Sequence, residues 1–342
     1  MKQFLKLTAA AAVAAGTLGA TAVTAQDYAL RFQSSDPAGT PAFQIQSEWG
    51  ATLEGLTGGR VTLEILPVGT IVAYSETLDA VAAGILDGHI TDVSYWAGKD
   101  PAFALLGNPV GAWGSPEQLL RFMEFGGGLE LANELMNPYG VQMVGALTTG
   151  LEAFVSKKPL DGVDDLQGLK MRAPEGLVQQ IFAEAGAAPV NLPFSEVFTS
   201  LDKGVIDAAD ATVFSGNQEA GLNDVAVHPV YPGFHSMPTI EVSMTKSTWD
   251  GMPDDLKAIM TVAVRDLGFR EINGLAMLDL KSVAEARQNP EITIHNWSDE
   301  ERAKFRAIAT GQWQTVASQS ENAQKVYDTL IAYLTDQGLL TQ

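Results

Sequence analysis

The 342-residue chain contains no cysteine. Disulfides, thiolate metal centres and cysteine nucleophiles are therefore excluded. Histidine is nearly as scarce: His89, His228, His235 and His295 are the full set, and no two stand at metal-ligand spacing. Positive charge is short as well, with 21 Lys and Arg against 41 Asp and Glu and a net charge of −20. Such a field repels nucleic acid and anionic lipid. Also missing are a dinucleotide-type GxGxxG unit, a phosphate loop, an HExxH pair and a GxSxG elbow. Past the first 25 residues no apolar run is long enough to span a bilayer, since a helix needs about 20 apolar residues to do so. In a chain so poor in cations, each Arg or Lys that faces inward carries weight as an anion partner.

What is present begins with an address. Lys2 and Lys6 precede a small, apolar stretch, and Val23-Thr24-Ala25 offers a small-residue cleavage site before Gln26. The order resembles bacterial export signals and predicts residues 1–25 as a cleaved signal peptide and the periplasm as the destination. The rest is long enough for two domains with cores that need no disulfide.

Strand and helix patterns alternate along that remainder, which argues for α/β lobes. Strands are expected at Tyr28–Phe32, 61–69, 90–96 and 141–147, with helices at 41–56, 74–86 and 117–137. The Gly-Gly-Gly at 127–129 predicts a break in the last of these. A second region starts near Leu151, with strands at 153–158, 165–174 and 205–214. Its helices are placed at 175–186 and 194–204, the second with Ser195 as N-cap. Residues 238–249 read as a strand returning to the first region. One long helix follows over 254–281, interrupted at Gly268 and Gly274, and Ser298 with Glu301 opens a helical tail to about residue 335.

Two segments stand out chemically. In LKMRAPEG, Arg172 lies at a strand end before Pro174 and Gly176, and its planar fork suits a carboxylate; an ordinary surface ion pair is the alternative. In SYWAGKDPAF, Tyr95 and Trp96 sit at a strand-to-loop transition, as pocket walls or as a core pair. Phe214, Tyr231 and Phe234 are further candidates for the same cleft, and Asn191 and Asn217 for added hydrogen bonds. An Asp/Glu pair acting as a hydrolase remains the rival from another class.

The segments LKMRAPEG, APVNLPFSEVFTSLDKGVIDAADA and PTIEVSMTKSTWDGMPDDLKAIM resemble those of the extracytoplasmic solute receptors of TRAP transporters, over essentially the whole exported chain. The resemblance implies two α/β lobes joined by crossing strands, with residues 26–150 in lobe 1 (part of 238–297 returning to it) and 151–237 in lobe 2. It further implies a long connecting helix and a C-terminal helical region over 298–337. A small organic anion would bind between the lobes, with Arg172 as its clamp, and pass to membrane permease subunits without chemistry or a required cofactor. YWAGKDPAFAL and ALTTG resemble the 2-oxo acid and carboxylate group, which places Tyr95 and Trp96 at the pocket and Glu152 where relatives have Gln. By the same likeness Glu152, Asp210 and Glu241 are the acids for a cation such as sodium bound with the ligand, and the C-terminal helix is a route to a homodimer. Ala211 stands where that group has Trp, which leaves a sulfonate, a sugar acid or a compatible solute as other ligand classes.

Overall fold

The computed structural model describes residues 27–340; the expected signal segment 1–25 lies outside the described residues. Among the described residues nine strands form two sheets. Strands β1 (Tyr28–Ser34), β2 (Val61–Leu66), β3 (Gly88–Asp92) and β4 (Val141–Leu147) belong to the first sheet. Strands β5 (Ala153–Ser156), β6 (Lys170–Arg172), β7 (Ala188–Val190) and β8 (Ala208–Thr212) make the second, and β9 (Ile240–Thr245) returns to the first. The strand orders are β2-β1-β3-β9-β4 and β5-β8-β6-β7. These sheets are the centres of two lobes, called lobe 1 and lobe 2 below. The chain crosses between them after Leu147 and again before Ile240.

Strand β9 is inserted antiparallel between β3 and β4, pairing Thr91 with Glu241 and Ala146 with Glu241. It is buried along most of its length, so Val242 and Met244 are apolar while Glu241 and Ser243 need internal partners. One face of the lobe 1 sheet packs Phe32, Ile90 and Val242 on Trp49 and Leu53 of the helix Pro41–Leu56 and on Leu256, Met260 and Leu267 of the long helix. Trp49 Nε1 also donates to Ala263 O at 2.7 Å. The other face merges with the apolar side of lobe 2 and with the C-terminal helices in one extended core holding Trp96, Phe103, Phe154, Phe182, Phe305 and Trp313.

The long helix runs from Asp254 to Ala286, 33 residues and about 50 Å at 1.5 Å per residue. It is not interrupted at Gly268 or Gly274. A Cβ at Gly268 would lie 3.3 Å from Leu147 Cβ, and one at Gly274 3.0 Å from Ile45 Cδ1. Both glycines let the helix press against lobe 1. At 127–129 the break does occur: Gly127 adopts φ 91° and separates the helices Pro116–Phe125 and Gly128–Met136.

Three local expectations fail for identifiable reasons. The strand expected over 90–96 stops at Asp92, whose side chain accepts from Ser94 N at 2.7 Å and turns 93–96 into a 3₁₀ helix. Ser195 does not cap its helix, which begins at Phe194 behind Pro193. The C-terminal region is two helices, Asp299–Ala317 and Glu321–Asp336, because Ser320 opens a new one by accepting from Ala323 N at 3.0 Å. Their apolar sides, including Phe305, Trp313, Val326 and Leu330, are buried in this chain's own core, not presented as a free arm.

Gly88 is the most sensitive joint of the lobe 1 sheet, since a Cβ there would meet Phe32 Cε1 and Ser243 O at 2.4 Å. Gly88→Ala is expected to destabilise the fold by roughly 1–3 kcal/mol through overpacking. Urea unfolding checks it; an unchanged midpoint would show that β9 has slack the structure does not reveal.

Candidate functional site

The site is assembled at strand ends. Ser35 and Asp36 follow β1, Asp92 closes β3 and Arg172 closes β6. In open α/β sheets, ligands bind in the crevice outside the carboxyl ends of the strands, and here the ends from both lobes converge on one crevice. Its free volume is about 80 Å³. Asp36, Asp92 and Tyr95 come from lobe 1, and Arg172, Phe194, Ala211 and Thr212 from lobe 2; Thr149, Glu152 and Pro238 stand where the chain crosses, and Leu275 comes from the long helix.

Arg172 is 5% exposed. Two backbone carbonyls aim it: Nε donates to Leu192 O at 3.0 Å and Nη1 to Asp210 O at 2.6 Å. Among the described residues no carboxylate oxygen pairs with it within 4.0 Å, since it forms none of the salt bridges present. Of five guanidinium N–H donors, three remain for a guest. Met171, with opposite strand parity, is buried in the extended core, and Lys170 is exposed.

Behind the guanidinium lies a buried acid cluster. Ligand atoms of Glu152, Asp210 and His235 fall within 4.8 Å of one another. His235 Nε2 is 2.9 Å from Asp210 Oδ1, and Ser236 Oγ donates to Asp210 Oδ2 at 3.3 Å. Burial, then the charge of Asp210 and a hydrogen bond to it, push the Glu152 carboxyl well above the usual range. Burial also opposes ionisation of Asp210, but His235, Glu152 and Arg172 together hold it at about 2. The two shifts run in opposite directions, so of the pair Glu152 favours its neutral form and Asp210 its ionised form. The two acids are joined to each other, not set on either side of a gap as the carboxyl pairs of glycosidases are. Among the described residues His235 Nδ1 has no hydrogen-bond partner.

Lobe 1 supplies two further acids that sequence reasoning missed. Burial, with smaller contributions from the charges of Asp210 and Glu241, pushes Asp92 up to about 7 against the opposing Ser94 bonds. Asp36 is also raised by burial, partly offset by Gln46 and Ser34. Tyr95 lines the crevice with its ring edge-on to Tyr74 at 4.6 Å, and burial raises its phenol far above the ordinary value, so it stays neutral.

Of the residues singled out from sequence, the structure brings together Arg172, Tyr95, Glu152 and Asp210. It separates the rest. Glu241 is fully buried in the sheet, bonded by Trp96 Nε1 at 2.6 Å and by Ser243 Oγ, with His89 Nε2 at 3.2 Å, so it is not a ligand beside Glu152 and Asp210. Trp96 thereby belongs to the core, stacked on His89, and is not a pocket wall. Phe214 is buried against Tyr231, and the amide N–H groups of the nearby Asn217 donate to Ala153 O and Thr212 O. Phe234 stacks on Trp297 at 3.7 Å and faces a separate outer groove. Asn191 is exposed and reaches only Glu175. That outer groove is larger, about 640 Å³, but the guanidinium of its Arg302 is committed to carbonyls of Trp297, Gly233 and Pro232 and to Asn296.

A family model described as bacterial extracellular solute-binding protein, family 7 (DctP), matches residues 32–320. The chain belongs to this family. A TRAP periplasmic solute-binding protein from Rhodobacter sphaeroides, solved in an apo open form, is 60% identical, with TM-score 0.77 over 92% of this chain and all of that one. A Nostoc protein named monocarboxylate 2-oxoacid-binding periplasmic protein is 31% identical over 64% of this chain and 60% of its own length. A Pseudoalteromonas atlantica receptor solved with sodium and pyruvate shares the fold at 22% identity and TM-score 0.80, over 92% of this chain and 95% of that one. The family's solute-binding proteins are periplasmic TRAP components that are not enzymes and that bind small organic anions for delivery to membrane permease subunits. Among the described residues no helix is long and apolar enough to cross a membrane.

The raised Asp92 pKa has a consequence for stability. The folded state holds this proton more tightly than the unfolded chain, so the stabilisation is fully present below the unfolded value near 4. It is lost as pH rises to about 7. Asp92→Asn removes that dependence. The unliganded variant is expected to gain on wild type by on the order of 1–3 kcal/mol between pH 5 and pH 8. Thermal unfolding at the two pH values reads the difference, and equal gaps would show that Asp92 is not desolvated.

Proposed function

We propose that this receptor captures a small organic carboxylate between its lobes, with the 2-oxo and 2-hydroxy acids and related acids as the reference class. The observation that carries the reading is Arg172: a buried guanidinium with no carboxylate of its own, locked by two carbonyls and facing a small crevice. Its surroundings are otherwise acidic, so an anion entering the crevice has one strongly favourable position. Closure of the lobes removes water from the pair and strengthens it, while Arg172's own desolvation offsets part of the gain.

Size supports a guest of few heavy atoms, because about 80 Å³ is small beside the roughly 300–1,000 Å³ of sites for drug-sized ligands. Solved relatives of the same fold hold pyruvate, malonate, D-glucuronate or sn-glycerol-3-phosphate, so the fold itself does not select among anions. The name of the Nostoc relative favours monocarboxylates. A cation entering with the ligand would take Glu152 and Asp210 beside His235, without Glu241. Their fit is partial, because Asp210 Oδ1 already faces His235 and burial beside Asp210 favours the neutral form of Glu152. Sodium or calcium accompanies the ligand in some solved relatives of the fold.

Arg172→Ala is expected to weaken binding of the preferred acid by about 2–5 kcal/mol, at least ~30-fold, with unchanged far-ultraviolet circular dichroism. Arg172→Lys should recover only part, since it restores charge without the planar fork. Calorimetry against a panel of oxo acids, hydroxy acids, diacids, sugar acids and sulfonates makes the measurement. Near-wild-type affinity in the alanine variant would remove the assignment, and a methyl ester that binds as well as its acid would remove the carboxylate.

A further inference from the structure

The crevice holds more carboxylate than Arg172 and one anionic guest account for. On the lobe 2 side the acids have partners: Asp210 has His235, Ser236 and the nearby guanidinium, and burial beside Asp210 favours the neutral form of Glu152. The lobe 1 wall is different. Asp92 is 7% exposed, and its Oδ1 takes the Ser94 N–H at 2.7 Å. Its other oxygen accepts no hydrogen bond among the described residues, and Asp92 lines the crevice. Asp36 receives Gln46 Nε2 at 2.9 Å on one oxygen. Neither acid is in an ion pair among the described residues, and neither belongs to the group of side chains close enough to share a metal ion.

We propose that the guest is amphoteric: its carboxylate meets Arg172 on lobe 2 and a cationic N–H donor on the same small molecule meets Asp92 and Asp36 on lobe 1. The inference rests on the carboxylate reading and narrows it. Donor chemistry separates the candidate second groups. A 2-oxo oxygen can only accept, so it brings no donor to the carboxylate oxygens of Asp92 and Asp36. A hydroxyl gives one neutral bond, whereas a primary ammonium gives three charge-assisted ones. A quaternary ammonium has no N–H to give, and Tyr95 and Phe194 alone do not form an aromatic cage. An amino acid or similar amino-carboxylate fits the wall best. It would also tie the two lobes together through opposite ends of one molecule.

The test is calorimetric titration of wild type and Asp92→Asn with skeleton-matched sets: alanine, lactate and pyruvate, then the four- and five-carbon homologues of each. Asn keeps the acceptor for Ser94 N and removes the charge. In the set that binds best, the amino member is expected to be ~10-fold tighter than its oxo and hydroxy partners. Asp92→Asn should abolish that preference, weakening the amino acid ~10-fold while leaving the oxo acid within about threefold. Asp36→Asn serves as the second variant should Asp92→Asn fail to fold. An oxo or hydroxy member that binds wild type as tightly as its amine, or a preference that survives both variants, overturns the inference and leaves the carboxylate reading standing. Failure of every acid in these sets and in the wider panel of carboxylic acids overturns the carboxylate reading itself.

Discussion

The site depends on one guanidinium being kept free of acids in an acidic protein. Arg172 could have collapsed onto Glu152 or Asp210, both close enough for its charge to favour their ionised forms. Two backbone carbonyls prevent this by holding Nε and Nη1 from one side. Carbonyls orient a cation without neutralising it. The charge therefore remains available, while Asp210 is paired with His235 and burial favours the neutral form of Glu152. Removing the carbonyl geometry would convert an anion trap into an internal salt bridge.

The same logic explains why crossing chain segments meet here. Glu152 lies just past β4, and His235 and Ser236 just before β9, so the two connections between lobes bring these side chains to Asp210 on β8. Backbone packing at that junction is tight: a Cβ at Gly233 would fall 1.6 Å from Glu152 O, which only glycine avoids.

Much of the architecture was legible because it follows from local pattern. The alternation of strands and helices, the long helix and the break at Gly127 are all written in short-range composition. Arg172 was legible too, as a scarce cation at a strand end. What was not legible depends on burial by distant segments. Glu241 reads as one more acid of a cluster until β9 is seen wedged between β3 and β4, where Trp96 and Ser243 claim its oxygens. Trp96 and Tyr95 are adjacent in sequence, yet the 3₁₀ turn set by Asp92 sends one to the core and the other to the crevice. Asp92 itself had a signal, since an Asp closing a strand two residues before a Ser is an Asx-turn former at the end where ligands collect. Gly268 and Gly274 look like helix breakers from propensity alone; only the facing Leu147 and Ile45 show that they are contact points.

The long helix has a mechanical role that follows from its two attachments. Its middle is seated on lobe 1 through those glycines, while near its far end Asp279, 6% exposed, accepts the Ser215 amide of lobe 2 at 2.7 Å. A rigid rod fastened at one place and hooked at another acts as a latch. Parting the lobes while the rod stays on its seat unhooks Ser215, and water must then hydrate both the amide and a carboxylate that had been sheltered from it. Opening the lobes would thus be coupled to wetting a spot remote from Arg172.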